Sequence, residues 1–533
     1  MTDIDQLRTD LYKSCIKLTQ LNLHQSSKWC AEALAGLVAS TTPISIDTPP
    51  IIIDGEQQQM LLANSYFNCK EFDRAAYVLK SCVSGDATFL RLYSMVLAID
   101  KRETESEEPN DSLAKVLVES NQYLAKSDHA LLYYLNGLIY NKKKKYQLAQ
   151  TNLYKSIKLF PYNWSCWQEL ITSFTSFEEA NSFLNKLISS KILSSNIMVK
   201  FFEVVILQEF HQPTTTTLTT LNQLLQLFPK FSFIKIQQFL ISYHNLDYYI
   251  AEHIFDEILI QDPLRLDDLH TFSNMLYVME KRSKLTYLAH FANSIDKFRP
   301  ETCCILANYH SMKSQHEMAI MYYKRALLLD KNCLSAYTLI GHEFVELKNS
   351  HAAIESYRKA IDLNNKDFRA WYGLGQAYEV LDMHLYALYY YQRATNLQNN
   401  DKRMWIALGG CFEKIEKFKE AIKSFEKALI ISTDIIDEQH QLVDPHIAYR
   451  LAIICEKLGD VTNTEKYMKL CFNQEFEMGV SDDTCKARLW LARYALDQKN
   501  FNYAYELAKD LQHGNSHDIE EARGVAREAR NRM

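Results

Sequence analysis

The sequence predicts an all-α chain built as an array of antiparallel helix pairs of one repeating length. Three observations predict it. One pattern of large and small residues recurs every 34 residues along most of the 533-residue chain. Glycine and proline are scarce, at 13 and 10 residues, against usual shares of ~7% and ~5%, which leaves few turns. Aromatic side chains make up 12% of the chain, with 32 tyrosines, enough to fill the spaces between helices.

The pattern is clearest in residues 334–433, where it is written three times without a gap. The middle copy carries Trp371, Leu374, Gly375 and Tyr378, then Ala387, Tyr391 and Ala394. The copy before it carries Tyr337, Ile340, Gly341, Phe344, Ala353, Tyr357 and Ala360. The copy after it carries Trp405, Leu408, Gly409, Phe412, Ala421, Phe425 and Ala428. Large residues at i, i+3 and i+7 form one stripe on a first helix. The small residues let a second helix come close, with Tyr391 filling the space between them. This is the tetratricopeptide signature. One such pair cannot bury its apolar face alone and must stack on its neighbours. The fold expected is therefore a tetratricopeptide-repeat α-solenoid, a right-handed superhelix of about fourteen helix pairs, with no place for a sheet.

Taken in order, Leu7 to Leu37 reads as a helix pair with stripes at Leu11, Cys15 and Leu18 and at Ser27, Ala31 and Leu34. Thr41–Ile53, with Pro43, Pro49 and Pro50, cannot be helical throughout and reads as an inserted loop. A second copy follows with Leu62, Ala63, Tyr66, Ala75, Leu79 and Cys82; a third starts at Tyr93 and is interrupted by the acidic stretch Glu103–Asp111. From Tyr133 the register is strict. The first signature position falls at Tyr133, Trp167, Phe201, Lys235, Leu269, Cys303, Tyr337, Trp371 and Trp405. Pro161, Pro229 and Pro263 each lie 28 residues after such a position, where a helix should stop. After Ala428 the period slips: Ser432–Asp444 adds residues, and two degenerate copies follow around Leu451 and Leu491. The domains expected are 1–132, with inserted loops; 133–432, nine repeats in register; 433–512, degenerate repeats; and 513–533, a charged tail that reads as a frayed cap.

This tiling bears directly on function. An enzyme needs a fold that converges reactive groups on a pocket, and no stretch of even 60 residues lies outside the array. No P-loop, H-E-x-x-H, G-x-S-x-G or kinase motif is present. Gly373-x-Gly375 lies within a repeat helix, where packing is its expected role. The twelve cysteines include no C-x2-C pair, so no metal site is expected, nor any cofactor. With no N-terminal apolar region the chain reads as reduced and intracellular, and no run is long and apolar enough to span a membrane. Asn163-Trp-Ser165 matches the glycosylation sequon only formally. The formal net charge of −6 argues against nucleic acid, and Lys142–Lys145 falls at the turn inside its copy.

An array does offer a long surface lined by first helices. In the best-preserved region this lining carries Asn308, Glu343, Glu346, Gln376 and Glu379. Carboxylates beside amides suit an extended peptide bearing arginine, which can bond a carboxylate through two parallel contacts. Trp167, Tyr337, Gly341, Trp371, Gly375, Trp405 and Gly409 are expected to build the repeats themselves. Trp371→Ala should then cost roughly 3–5 kcal/mol by emptying a packed site. Glu343→Lys should spare the fold and weaken peptide binding. A co-chaperone adaptor for acidic C-terminal tails is the alternative, but Cys304, Leu339 and Gly373 stand where its clamp residues would be.

Four runs carry a closer resemblance: Ser26-Ser-Lys-Trp29, Arg299-Pro-Glu-Thr-Cys-Cys304, Gly341-His-Glu-Phe344 and Arg369-Ala-Trp-Tyr-Gly-Leu-Gly-Gln376. From about Leu7 to Leu511 the chain resembles the family of subunit 8 of the anaphase-promoting complex, the cell division cycle protein 23 family. The resemblance implies a non-catalytic scaffold in a multisubunit E3 ubiquitin ligase of the cell cycle, found in nucleus and cytoplasm. It implies a homodimer formed through the N-terminal repeats, contacts with other subunits, and a groove for the basic C-box segment of a substrate-recruiting activator. Asn308 and Glu343 are the positions it implies for arginine binding.

Overall fold

The computed structural model describes residues 4–38, 55–103, 112–189, 196–210, 215–432, 434–437, 440–509 and 516–533. The chain divides into two units, Met1–Asp268 and Leu269–Met533. The first holds α1 (Ile4–Gln20), α2 (His24–Gly36), α3 (Gly55–Asn68), α4 (Phe72–Val78), α5 (Gly85–Glu103) and α6 (Ser112–Leu124). It continues with α7 (Ala130–Lys142), α8 (Tyr146–Leu159), α9 (Trp164–Ser173), α10 (Phe177–Ser189), α11 (Ile197–Glu209), α12 (Thr215–Leu227), α13 (Ser232–His244) and α14 (Tyr248–Gln261).

The second unit opens with α15 (Leu269–Val278), α16 (Arg282–Ile295), α17 (Pro300–Met312), α18 (His316–Leu329), α19 (Leu334–Glu346) and α20 (Ser350–Leu363). Next come α21 (Phe368–Val380), α22 (His384–Leu397), α23 (Lys402–Lys414) and α24 (Phe418–Ser432). After a ribbon of β1 (Asp434–Asp437) and β2 (His440–Leu442) it closes with α25 (Pro445–Lys457), α26 (Val461–Asn473), the single turn α27 (Glu475–Met478), α28 (Asp482–Asp497), α29 (Phe501–Lys509) and α30 (Ser516–Arg532).

Helices α7 to α24 are the nine in-register copies. In seven of them the first signature residue is the fourth residue of its helix, so the 34-residue phase is a phase of structure. The turns keep it too. Eleven residues after the first position, Lys144, Leu246, Glu280, Ser314, Lys348, Asp382 and Glu416 all take left-handed backbone, with φ between 54° and 67°. Each closes its first helix in the same way: the Met383 N–H donates to Tyr378 O at 3.0 Å and Asn349 N–H to Phe344 O at 2.8 Å, satisfying carbonyls that the helix end leaves open. Lys144 puts the lysine run at this turn, as expected. Pro161, Pro229 and Pro263 each stand two residues beyond a helix end.

Packing within a pair follows the small residues. A Cβ on Gly375 would stand 2.6 Å from the Tyr391 ring, and one on Gly409 2.8 Å from Phe425. Gly373 lies against Tyr357, which gives it the packing role. Tyr323, Tyr357 and Tyr391 are fully buried. The signature tryptophans behave differently. Trp167 is fully buried, but Tyr337, Trp371 and Trp405 are half-buried, which corrects the expectation that Trp371 fills an inter-helix site. Their shared role is a hydrogen bond to the carbonyl six residues upstream: Trp167 Nε1 to Pro161 O at 2.7 Å, Trp371 to Asn365 O at 3.0 Å, Trp405 to Asn399 O at 2.9 Å. The indole pins the link that leads into its own helix.

The first helix pair departs most from the tiling. Its second helix buries Ser26, Trp29, Cys30, Ala33 and Gly36, so the expected stripe at Ser27, Ala31 and Leu34 is displaced by one residue. The reason is its partner. Rather than stacking simply as a first repeat, the pair lies across later ones. Trp29 stacks on Trp164 with centroids 4.9 Å apart and meets Phe201 and Phe231 edge-on at 5.2 and 5.4 Å. Ser26 Oγ donates to Asn163 Oδ1 at 2.8 Å and accepts from Ser165 N at 2.9 Å. Val38 N–H donates to Leu227 O at 3.1 Å, and Lys28 pairs with Asp267 at 2.5 Å. Asn163, the formal sequon residue, is thus buried structure.

Three further expectations change. In the third copy Tyr93 is the ninth residue of α5 rather than the fourth, because that helix starts early, at Gly85, and Phe89 stacks on Tyr93 at 5.5 Å. Ser432–Asp444 contains an antiparallel ribbon pairing Asp434 with Leu442 and Asp437 with His440; it interrupts the helices and departs from the expectation of no sheet, while the fold class is all-α as expected. The C-terminal stretch is no frayed tail: α30 packs on α28 and α29 with Ala522 and Ala529 fully buried and Glu521 paired to Arg493. The loop expected at Thr41–Ile53 lies outside the described residues, as do residues 104–111 of the acidic stretch. Among the described residues no helix is long and apolar enough to cross a membrane.

Candidate peptide-binding site

The candidate residues stand on three successive first helices of the second unit: Asn308 on α17, Glu343 and Glu346 on α19, Gln376 and Glu379 on α21. The repeat explains their setting. Asn308, His342 and Gln376 occupy one position in three copies, five residues after the first signature residue. Each second helix sends a buried tyrosine toward this level, and its hydroxyl needs a partner. The Tyr323 hydroxyl donates to Asn308 Oδ1. The Tyr357 hydroxyl and His342 Nδ1 share a hydrogen bond of 2.8 Å. The Tyr391 hydroxyl passes Gln376 and donates to Glu379 Oε2 at 2.7 Å.

Asn308 is therefore spent on the protein itself. Its Nδ2 donates to Ser273 Oγ and to Asn274 Oδ1, both at 2.6 Å, and the side chain is 3% exposed. Glu343 is 6% exposed, with Oε2 2.8 Å from His316 Nδ1. Burial changes the expectation for Glu343→Lys. An ammonium there would lose water and face His316, so the fold would not be spared. Glu346, one turn on, is exposed. Gln376 donates to the Tyr372 hydroxyl at 3.2 Å, and Glu379 accepts from Lys414 at 2.8 Å.

Two clusters result. In the first, Glu343 sits between Tyr323 and Tyr357: burial raises both phenols well above the usual range, and the Glu343 carboxylate raises them further. Glu346 adds to the effect on Tyr357. In the second, burial works against the Glu379 carboxylate, but hydrogen bonds from Lys414 and Tyr391 hold it below its ordinary pKa. Asn308 and Glu343 are brought together through Tyr323; Gln376 and Glu379 form the second group. His316, the three tyrosine hydroxyls and Lys414 complete the site and were missed in the sequence. The tyrosines did carry a signal, their 34-residue spacing, which read as packing alone. The arrangement can bind cations through one shielded carboxylate, Glu343, and one open carboxylate, Glu346. Cys304 and Gly373, the positions an acidic-tail clamp would use, are buried. Among the described residues no group of three metal-ligating side chains converges.

Comparison with known proteins places this geometry in context. The family profile described as anaphase promoting complex subunit 8 / Cdc23 matches residues 6–239, and tetratricopeptide profiles match 300–333, 341–381 and 402–433. The chain is 43% identical to the anaphase-promoting complex subunit CDC23 of Saccharomyces cerevisiae over 99% of both chains. It is 37% identical to anaphase-promoting complex subunit 8 of Arabidopsis thaliana, over 60% of this chain and 55% of that one. It is 38% identical to the cell division cycle protein 23 homolog of Homo sapiens, over 54% and 49%. Among solved structures, the APC/C hetero-tetramer Cut9-Hcn1 matches with a TM-score of 0.60 at 15% identity, covering 98% of this chain and 96% of that one. That likeness shows the same fold.

Proposed function

The chain belongs to the anaphase promoting complex subunit 8 / Cdc23 family, and on that premise we propose that it is a homodimeric scaffold whose second unit binds a basic activator segment. The coarser part follows from the family: a tetratricopeptide scaffold subunit of the anaphase-promoting complex, working beside other subunits and not an enzyme. The finer part is our reading. An arginine-bearing C-box segment of the substrate-recruiting activator lies along α17, α19 and α21, with its guanidinium at Glu343 and Glu346, and the protein works in nucleus and cytoplasm without nucleic acid or membrane. Self-association runs through the N-terminal repeats.

The observation that supports the binding site is Glu343. A carboxylate at 6% exposure, held by His316 beside Tyr323 and Tyr357, is costly to bury unless a cation completes it. Asn308 acts beneath it, fixing Tyr323 rather than touching the ligand. Gln376 and Glu379 extend the polar lining toward the next copy. Titrating a labelled arginine-containing C-box peptide into the full chain and into Glu343→Gln tests this. The amide keeps the shape and removes the charge, so affinity should fall by about tenfold, the loss of one charge-assisted bond. Equal affinity would remove Glu343 from the site. Size measurement of the pure chain tests the dimer, and a monomer at micromolar concentration would refute it.

A further inference from the structure

We infer that the cleft between α29 and α30 is a docking site for an acidic peptide segment of a partner protein. The cleft encloses about 560 Å³ and is lined by Tyr505, Ala508, Lys509, Ile519, Ala526 and the arginines Arg523, Arg527 and Arg530. Its floor is apolar and its rim carries four cations. No carboxylate stands among the described lining residues. Three other clefts, of about 400 to 540 Å³, each carry at least one carboxylate on the wall: Glu179 in one, Glu71 and Asp73 in the second, Glu355 in the third.

The pairing on α30 sharpens the contrast. Away from the cleft Arg532 pairs with Glu528 and Glu521 with Arg493. Arg523, Arg527 and Arg530 make no ion pair or hydrogen bond among the described residues, and neither does Lys509. All four are exposed. A protein of net charge −6 has acids enough to neutralise such a cluster, yet here it does not.

The geometry selects the occupant. Arg523 to Arg530 spans roughly 10 Å of helix, the length of about three extended residues. Two carboxylates that far apart on an extended peptide would each meet a guanidinium fork, while an apolar side chain between them reaches Ile519 and Ala526. A nucleic acid would use the cations but leave that apolar floor and the short span unexplained. This site is independent of the proposed C-box site, whose ligand has the opposite charge.

Fluorescence anisotropy on the full chain tests it, using a short labelled Asp/Glu-rich peptide with one leucine, its Asn/Gln counterpart, and a single-stranded oligonucleotide. The acidic peptide should bind, the amide peptide should not, and affinity should fall as salt rises. Arg523→Glu combined with Arg527→Glu should weaken binding at least about tenfold with an unchanged melting curve. Arg532→Glu, off the cleft, should bind as the parent does. If the double variant melts early, Arg530→Gln alone replaces it and should still weaken binding. No binding of the acidic peptide, binding unaffected by these substitutions, or tighter binding of the oligonucleotide would each overturn the assignment.

Discussion

Gly341 faces the ring of Tyr357 so closely that a Cβ on the glycine would stand 2.4 Å from the ring's Cε1. Tyr357 is fully buried and cannot retreat; on its other side Gly373 leaves only 2.6 Å for the same atom. Neighbouring copies are therefore locked through one ring held between two glycines.

Gly341→Ala should destabilise the second unit. Alanine is the better helix former by roughly 0.5–1 kcal/mol, but overpacking against a buried ring costs about 1–3 kcal/mol, so packing wins. Gly410 supplies the control. A Cβ there meets only Arg450 Nη2, at 3.7 Å, so Gly410→Ala should raise stability slightly. Urea unfolding of both variants checks the pair, and a shift of the same sign in both would contradict this packing.

Trp371→Ala should cost about 2 kcal/mol, from one indole hydrogen bond and partial burial. Tyr391→Ala, at 1% exposure and central to its pair, should cost about 3–5 kcal/mol. Both lie in the second unit, so their denaturation midpoints compare directly. A larger loss at Trp371 would restore the tryptophan as the filler of the repeat.

How far the sequence could be read depended on range. The 34-residue period is legible because the contacts inside a pair, such as Gly375 against Tyr391, lie within its own 34 residues. The left-handed turn repeats in seven of the nine copies, yet Lys144, Leu246, Ser314 and Asp382 have nothing chemical in common, so composition conceals it. The stripe on α2 was displaced because Ser26 meets Asn163, a residue 137 positions away, and nothing local in Ser26–Trp29 records that partner. The candidate site was half readable for the same reason. Its helix face followed from the repeat, whereas the burial of Asn308 and Glu343 comes from Ser273, Asn274 and His316 on other helices.

Trp29→Ala should loosen the first helix pair from the repeats it crosses. The indole is 5% exposed and touches four aromatic rings, those of Trp164, Phe201, Phe231 and Phe233, so truncation should cost about 3–5 kcal/mol. Combined with Trp164→Ala the losses should fall short of additive by about 0.5–1.5 kcal/mol, the coupling of a stacked pair. Hydrogen exchange should rise in α1 and α2 and at the starts of α9 and α13 together. A rise confined to α2 would mean that the pair does not brace the repeats.

His342 makes stability depend on pH. Burial, then the nearby Arg369 guanidinium, lower its pKa to about 4 from the ordinary 6.5, with Asp367 opposing. Between those values the unfolded chain binds the proton more readily than the native one, so stability falls as pH falls through 6.5 and stops falling below about 4. Between pH 7 and pH 5 the loss should be about 2 kcal/mol. Asn308 shows what can replace it, since an asparagine at the same repeat position accepts the Tyr323 hydroxyl. His342→Asn should keep Tyr357 partnered, leave stability at pH 7 nearly unchanged, and remove most of this dependence. Denaturation midpoints at both pH values measure it; parent and variant losing stability equally on acidification would show that the proton binds elsewhere.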